Sequence, residues 1–235
     1  MAAAMPQVRN VATLKLLQAS PPRRTLSPVH ARLRAEALQL ARAEGLGAGA
    51  FSYAFVGLDG AARDLLCADG RHEPVPWALP ASGQLTAVAC CVCTLGPALP
   101  ARVQSLFAQR RRALAVALDE IGNELLFALG RRAEDRMLAD ARRQGLTMAG
   151  ELRAGDPGLA LGAQALVLRL AGAAAIGVTL TPALLMQPVK SSSAVLGVGV
   201  ALPATAWSRC DECGSRQRCT LRERGVAGTA AAERA

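Results

Sequence analysis

An α+β domain is the fold class this sequence predicts, on three observations. Apolar runs with strand character and amphipathic stretches with helical spacing both occur, yet they do not alternate as regular βαβ units. The 235 residues suffice for one well-buried domain. Hydrophobic residues make up 51% of the chain and aromatics only 3%, so the core must be built from Ala, Leu and Val.

In chain order, residues 1–18 are short of acids and lack both a continuous apolar stretch and a signal cleavage site, so they predict a frayed start leading into a first strand. Pro21, Pro22 and two arginines form a linker. Ser27-Pro28 is a helix start, with a capping hydroxyl followed by proline at the first helical position. Leu33, Ala37, Leu40 and Ala41 keep helical spacing until Gly45 and Gly47 stop it. Phe51 to Leu58 has strand character and ends at the turn pair Asp59-Gly60. Residues 70–84, rich in Pro, Gly and charge, predict a surface loop. Leu85 to Leu95 is a continuous apolar run, expected as a central strand. A single long helix is predicted over Pro97 to Arg143, since Leu114, Leu118, Ile121, Leu125 and Leu129 trace one face. Gly145 terminates it. A glycine-rich loop at 149–158, a helix at 159–174 and strands near 177–186 and 194–202 complete the pattern. The resulting segments are 1–24 (N-terminal, partly disordered), 25–205 (the α+β domain), 206–224 (a cysteine-rich tail) and 225–235 (disordered).

Composition narrows the function classes. The net charge of +9 would suit a nucleic-acid partner, but the arginines are scattered among Asp and Glu instead of forming a stripe, so none is expected. Heavy Ala, Arg and Gly usage fits a GC-rich genome. Leu159 to Met186 is apolar, but Arg169, glycines, a proline, Thr179 and Thr181 interrupt it, which argues against a membrane span. Seven cysteines without a signal peptide point to a reducing, cytoplasmic setting.

Four constellations carry chemistry. Lys190, Ser191, Ser192 and Ser193 follow Pro188 as a polar hairpin tip or as a hydroxyl and ammonium cradle for a polar ligand. Glu151, Arg153, Gly155, Asp156, Pro157 and Gly158 form either a plain connection or a loop where backbone approaches a ligand and arginine forks onto its carboxylate. Glu124 borders the apolar face of the long helix, as a solvated acid paired with Arg131 or Arg132 or as a ligand contact. Cys210 and Cys213 have the two-residue spacer with which two thiolates grip one ion, and Cys219 adds a third, so the tail is expected to bind an iron–sulfur cluster or zinc. A fourth ligand could come from Cys67, Cys90, Cys91, Cys93, Asp211, Glu212 or a partner. In their apolar strand, Cys90, Cys91 and Cys93 are expected as small core hydrophobes.

The stretch holding Leu180, Thr181, Met186, Pro188, Ser191 and Ser193, followed by the terminal cysteines, resembles the activation (reactivation) domain of cobalamin-dependent methionine synthase, in the stand-alone form with a cysteine-rich tail. Ala194 stands where that family has glycine. The family's arginine-proline-glycine-tyrosine segment is matched by Arg153, Pro157 and Gly158, with one extra residue between them and Leu159 in place of the tyrosine. The only tyrosine, Tyr53, is distant in sequence. Glu124 matches an adenosylmethionine-contacting glutamate on the family's long helix. The resemblance implies a curved antiparallel sheet flanked by helices. It also implies S-adenosylmethionine binding near Glu124, Arg153, Pro157, Gly158, Lys190, Ser191 and Ser193. The implied role is accessory: returning cob(II)alamin to the methyl form on a cobalamin-binding methyltransferase protein, with electrons from a flavodoxin- or ferredoxin-type donor. No Asp-x-His-x-x-Gly signature is present, so the cobalamin would be carried by the partner. The rival expectation is a non-catalytic corrinoid-protein adaptor or metal-binding scaffold that has lost S-adenosylmethionine binding.

Overall fold

The computed structural model describes residues 5–18, 26–58, 83–156 and 159–202. Its centre is a five-stranded sheet formed by β1 (Gln7–Ala12), β2 (Ala48–Gly57), β3 (Gln84–Thr94), β4 (Thr147–Leu152) and β7 (Ser191–Val200). The strand order is β1-β2-β3-β7-β4, with every neighbouring pair antiparallel. A separate two-stranded ribbon pairs β5 (Thr179–Leu180) with β6 (Met186–Gln187). The α+β class is as the sequence predicts.

Both faces of the sheet are covered, which is why β2 and β3 read as unbroken apolar runs instead of alternating ones. On one face lie α1 (Leu14–Gln18), α2 (Pro28–Ala43), α3 (Ala98–Ala108) and α4 (Arg112–Arg142). The buried residues there include Phe51, Tyr53, Cys91, Cys93, Leu99, Leu118, Ile121, Leu125, Leu129 and Leu196. On the other face, α5 (Gln164–Leu170), flanked by short 3-10 turns, buries Val167 and Leu168 against Val88, Cys90, Val92 and Val195. The predicted apolar stripe of α4 is fully inside. Each such leucine or isoleucine contributes about 1.5–3 kcal/mol by burial.

Caps follow the sequence. The Ser27 hydroxyl accepts from the His30 amide at the start of α2. Helices α2 and α4 close alike: Gly45 and Gly145 take left-handed φ of 65° and 71°, and the next residue's amide reaches back to Ala41 or Ala141.

Four expectations need correction. The helix predicted over Pro97 to Arg143 is two helices, because Arg110 adopts φ 61° and the Arg111 amide turns back to the Leu106 carbonyl. No glycine or proline marks that break, so the apolar spacing runs through it unannounced. The glycine-rich stretch at 149–158 is partly strand: β4 is an edge strand on β7, with a register shift between Ala149 and Leu152 where Gly150 sits at φ 71°. The serines are not a loop. They open β7, Ser191 pairing with Thr94 and Ser193 with Val92, while the strand expected over 177–186 is reduced to the small β5–β6 ribbon.

Two glycines test the packing in opposite directions. A methyl group on Gly199 would stand 2.0 Å from the Gln84 carbonyl oxygen of the neighbouring strand, whereas Gly130, within α4, meets nothing within 4 Å. Gly199→Ala is expected to lower the urea-unfolding free energy by about 2 kcal/mol or more, and Gly130→Ala to raise it by up to about 1 kcal/mol.

Candidate functional site

An arginine and a carboxylate pair where the edge strand β4 runs under the C-terminal half of α4. Glu151 and Arg153 flank Leu152, which packs on the opposite face, so strand alternation turns both toward α4. Arg153 donates from Nε to Glu151 Oε1 at 2.8 Å, and its Nη2 lies 2.6 Å from the same oxygen. That pairing uses one edge of the guanidinium. Of the five N–H groups, those on the Nη1 side remain to fork onto a second carboxylate. The pair is partly open, with side-chain exposures of 23% and 22%. The turn that follows is self-bonded: the Arg153 amide donates to Asp156 Oδ2 at 3.0 Å, and the Gly155 amide to the Leu159 carbonyl at 2.8 Å.

Glu134, on α4, feels the charges of this pair. Burial is the main cause that pushes its carboxyl up to about 7, the charge of Glu151 adds to it, and Arg131 and Arg153 pull the other way. Beneath them, Cys91 and Cys93 face α4 from β3. The Cys91 thiol is raised by its bond with Cys93, by burial and by the charge of Glu134, so it is an unreactive core group. Cys90, on the other face, is pushed up to about 12 by burial. The cysteines of β3 therefore act as the core hydrophobes the sequence suggests.

The remaining predicted residues are dispersed. Glu124 forms a two-pronged pair with Arg34 of α2, at 2.6 and 2.7 Å. Lys190 is buried, its Nζ 2.7 Å from Asp119 and 2.6 Å from Asn123 on α4, so its charge ties β7 to the helix and does not face solvent. Ser191 donates to the Pro188 carbonyl at 2.6 Å and lies 2.8 Å from Thr94 Oγ1. By strand alternation Ser191 and Ser193 share the sheet face away from α4, and Ser193 is buried there. Pro157, Gly158, Cys210, Cys213 and Cys219 lie outside the described residues. Among the described residues, no cluster of three His, Cys, Asp or Glu side chains could hold a metal ion.

Tyr53 does not stand in for the missing ring. It shares a row with Cys91 and Ala194, and extending the β4 register by one residue puts Arg153 level with Ala194. Three strand spacings, about 14 Å, separate the two backbones. The phenol is buried and donates to Asp140, which also pairs with Arg136 and Arg143. Sequence reasoning missed Glu134 as a site residue. The only signal was its place beside Ala133, on the border of the stripe that continues from Leu129 to Met137.

No protein-family profile matches the sequence, and no curated protein sequence matches it. Among solved structures, the chain is similar to a crystal structure of the MetH reactivation domain bound to AdoHcy. The match covers 94% of this chain and 89% of that one, with a TM-score of 0.56 at 16% sequence identity. The fold is that of a methionine synthase activation domain. That domain fold accounts for the central antiparallel sheet and the long helix α4 laid across it. No helix among the described residues is long and apolar enough to cross a membrane.

Because Glu134 has a folded-state value of about 7 against an ordinary 4.5, the folded protein holds a proton that the unfolded chain has lost. Its contribution to stability is therefore complete below about 4.5 and disappears as pH rises through 7. Glu134→Gln removes this dependence: relative to wild type it is expected to be about equal at pH 4.5 and more stable by on the order of 2 kcal/mol at pH 8, by denaturant unfolding at both pH values.

Proposed function

We propose that this protein is an accessory activation subunit that binds S-adenosylmethionine and supports reductive methylation of cob(II)alamin on a cobalamin-binding methyltransferase protein. The reading is carried by the partly exposed Arg153, whose unused edge suits the α-carboxylate of an adenosylated amino acid, in a fold whose solved counterpart is bound to AdoHcy. Arg153 takes the carboxylate, and the backbone of the following turn, with Pro157 and Gly158, lines the rest. Glu124 helps through its clamp on α2. Lys190, Ser191 and Ser193 hold the first part of β7 in register so that β4 and its arginine are presented correctly. The cobalamin belongs to the partner, and a flavodoxin- or ferredoxin-type protein supplies the electron. Cys210, Cys213 and Cys219 bind an iron–sulfur cluster or zinc as a clip or relay on the tail. The setting is cytoplasmic.

One observation favours a second reading. Leu159, buried at 2% exposure, stands where the related segment has a tyrosine, so no ring is offered there to stack on an adenine. A corrinoid-protein adaptor without ligand chemistry would look the same.

Titration calorimetry with AdoHcy separates the two. Wild type is expected to bind in the micromolar to millimolar range, and Arg153→Ala to lose the heat while remaining folded, as checked by circular dichroism and a cooperative unfolding transition. Mixing with a cobalamin-loaded methyltransferase domain is expected to shift the cobalt absorption spectrum. No heat from folded wild type, together with a spectral shift, supports the adaptor; neither heat nor shift rejects both.

A further inference from the structure

The pair at the end of β4 is lopsided. Arg153 Nε, at 2.8 Å, and Nη2, at 2.6 Å, converge on one oxygen of Glu151, Oε1. Among the described residues, Oε2 accepts no hydrogen bond and Nη1 donates none. The two-pronged pair of Arg34 and Glu124 differs, since it uses both carboxylate oxygens and both Nη atoms. Covalent geometry keeps Oε2 beside Oε1 and Nη1 beside Nη2. A free anionic oxygen and a free cationic edge therefore stand next to each other. Both remain within reach of solvent, with side-chain exposures of 22% for Glu151 and 23% for Arg153. The nearest further carboxylate in the turn, Asp156, already accepts from the Arg153 amide at 3.0 Å.

We propose that Glu151 accepts the α-ammonium of the ligand through Oε2, so that the Arg153–Glu151 pair selects a zwitterionic amino-acid end over a plain carboxylate. This inference rests on the ligand reading given above and names what that site discriminates. An α-amino acid carries its ammonium and its carboxylate on one carbon, so it offers both to the pair together. Arg153 takes the carboxylate on its Nη1 side while Glu151 holds the guanidinium through Oε1. Every charge then has an opposite charge beside it. A ligand with a carboxylate alone sets that group near Glu151 with nothing to offset the repulsion. The loss of one charge-assisted hydrogen bond in a partly desolvated site weakens binding about tenfold or more.

The test is calorimetry on the full chain with two ligands, AdoHcy and its desamino analogue, which keeps the adenosine, the sulfur and the carboxylate. Both are titrated into wild type, Glu151→Gln and Glu151→Ala, with circular dichroism to confirm that each variant is folded. Wild type is expected to bind AdoHcy about tenfold or more tightly than the analogue. Each variant is expected to lose that preference, and to bind the analogue at least as tightly as wild type does, because the repelling carboxylate is gone. Equal wild-type affinities for the two ligands overturn the role of Glu151 and leave the ligand reading standing. A preference kept in either folded variant assigns the ammonium to another group and overturns it as well. No heat with either ligand from folded wild type overturns the ligand reading and this inference with it.

Discussion

The apolar face of α4 lying across the sheet is the contact on which the rest of this structure depends. Leu118, Ile121, Leu125 and Leu129 are each fully excluded from water, against strands whose inward residues include Cys91, Cys93 and Leu196. A helix of 31 residues, about 46 Å long, reaches from the α3 corner to the β4 edge. Its seat is close. A methyl group on Gly122 would meet Leu99 at 2.8 Å and the Lys190 side chain at 3.3 Å, so glycine is what lets α3 and the Lys190 clamp approach α4 together. That clamp is costly to lose, since removing Asp119 or Asn123 would leave a buried ammonium short of partners.

The site inherits its properties from the same contact. Glu134 is one position beyond the buried Ala133, so the packing that sinks Ala133 and Met137 also draws a carboxylate out of water. Arg153, just past the end of the edge strand β4, is partly desolvated as well, and keeps about a quarter of its side chain exposed beside Glu151. The edge of the sheet beneath α4 thus holds a carboxyl that burial pushes up and a partly desolvated arginine paired with Glu151. On the opposite flank of α4, Arg34 and Glu124 fix the angle of α2 with a two-pronged pair, a scaffold role that needs no ligand.

The parts legible in the sequence were those set by periodicity and by glycine. The stripe of α4, the Ser27 cap, the Gly45 and Gly145 closures and the apolar runs of β2 and β3 are local signals, and the structure follows them. Long-range pairing was not legible. Whether Ser191 to Ser193 form a loop or a strand depends on Thr94 and Val92, about a hundred residues away in sequence, which offer the ladder partners. The break at Arg110 costs a residue a left-handed conformation without glycine, which only tertiary contacts such as the Arg111–Glu36 pair help offset. The site was half legible: Arg153 was visible as a fork in a glycine-rich segment, whereas Glu134 acquires its character only from burial.

The account's central claim is that an adenosylated amino acid binds at the junction of β4 and α4. Amide hydrogen exchange with and without saturating AdoHcy tests it most directly, because it reports location as well as binding. The account predicts slowed exchange in residues 147–156 and in the C-terminal half of α4, with β1 and α2 unchanged. Slowing confined to β1 and α2, or no slowing anywhere at saturation, would contradict it.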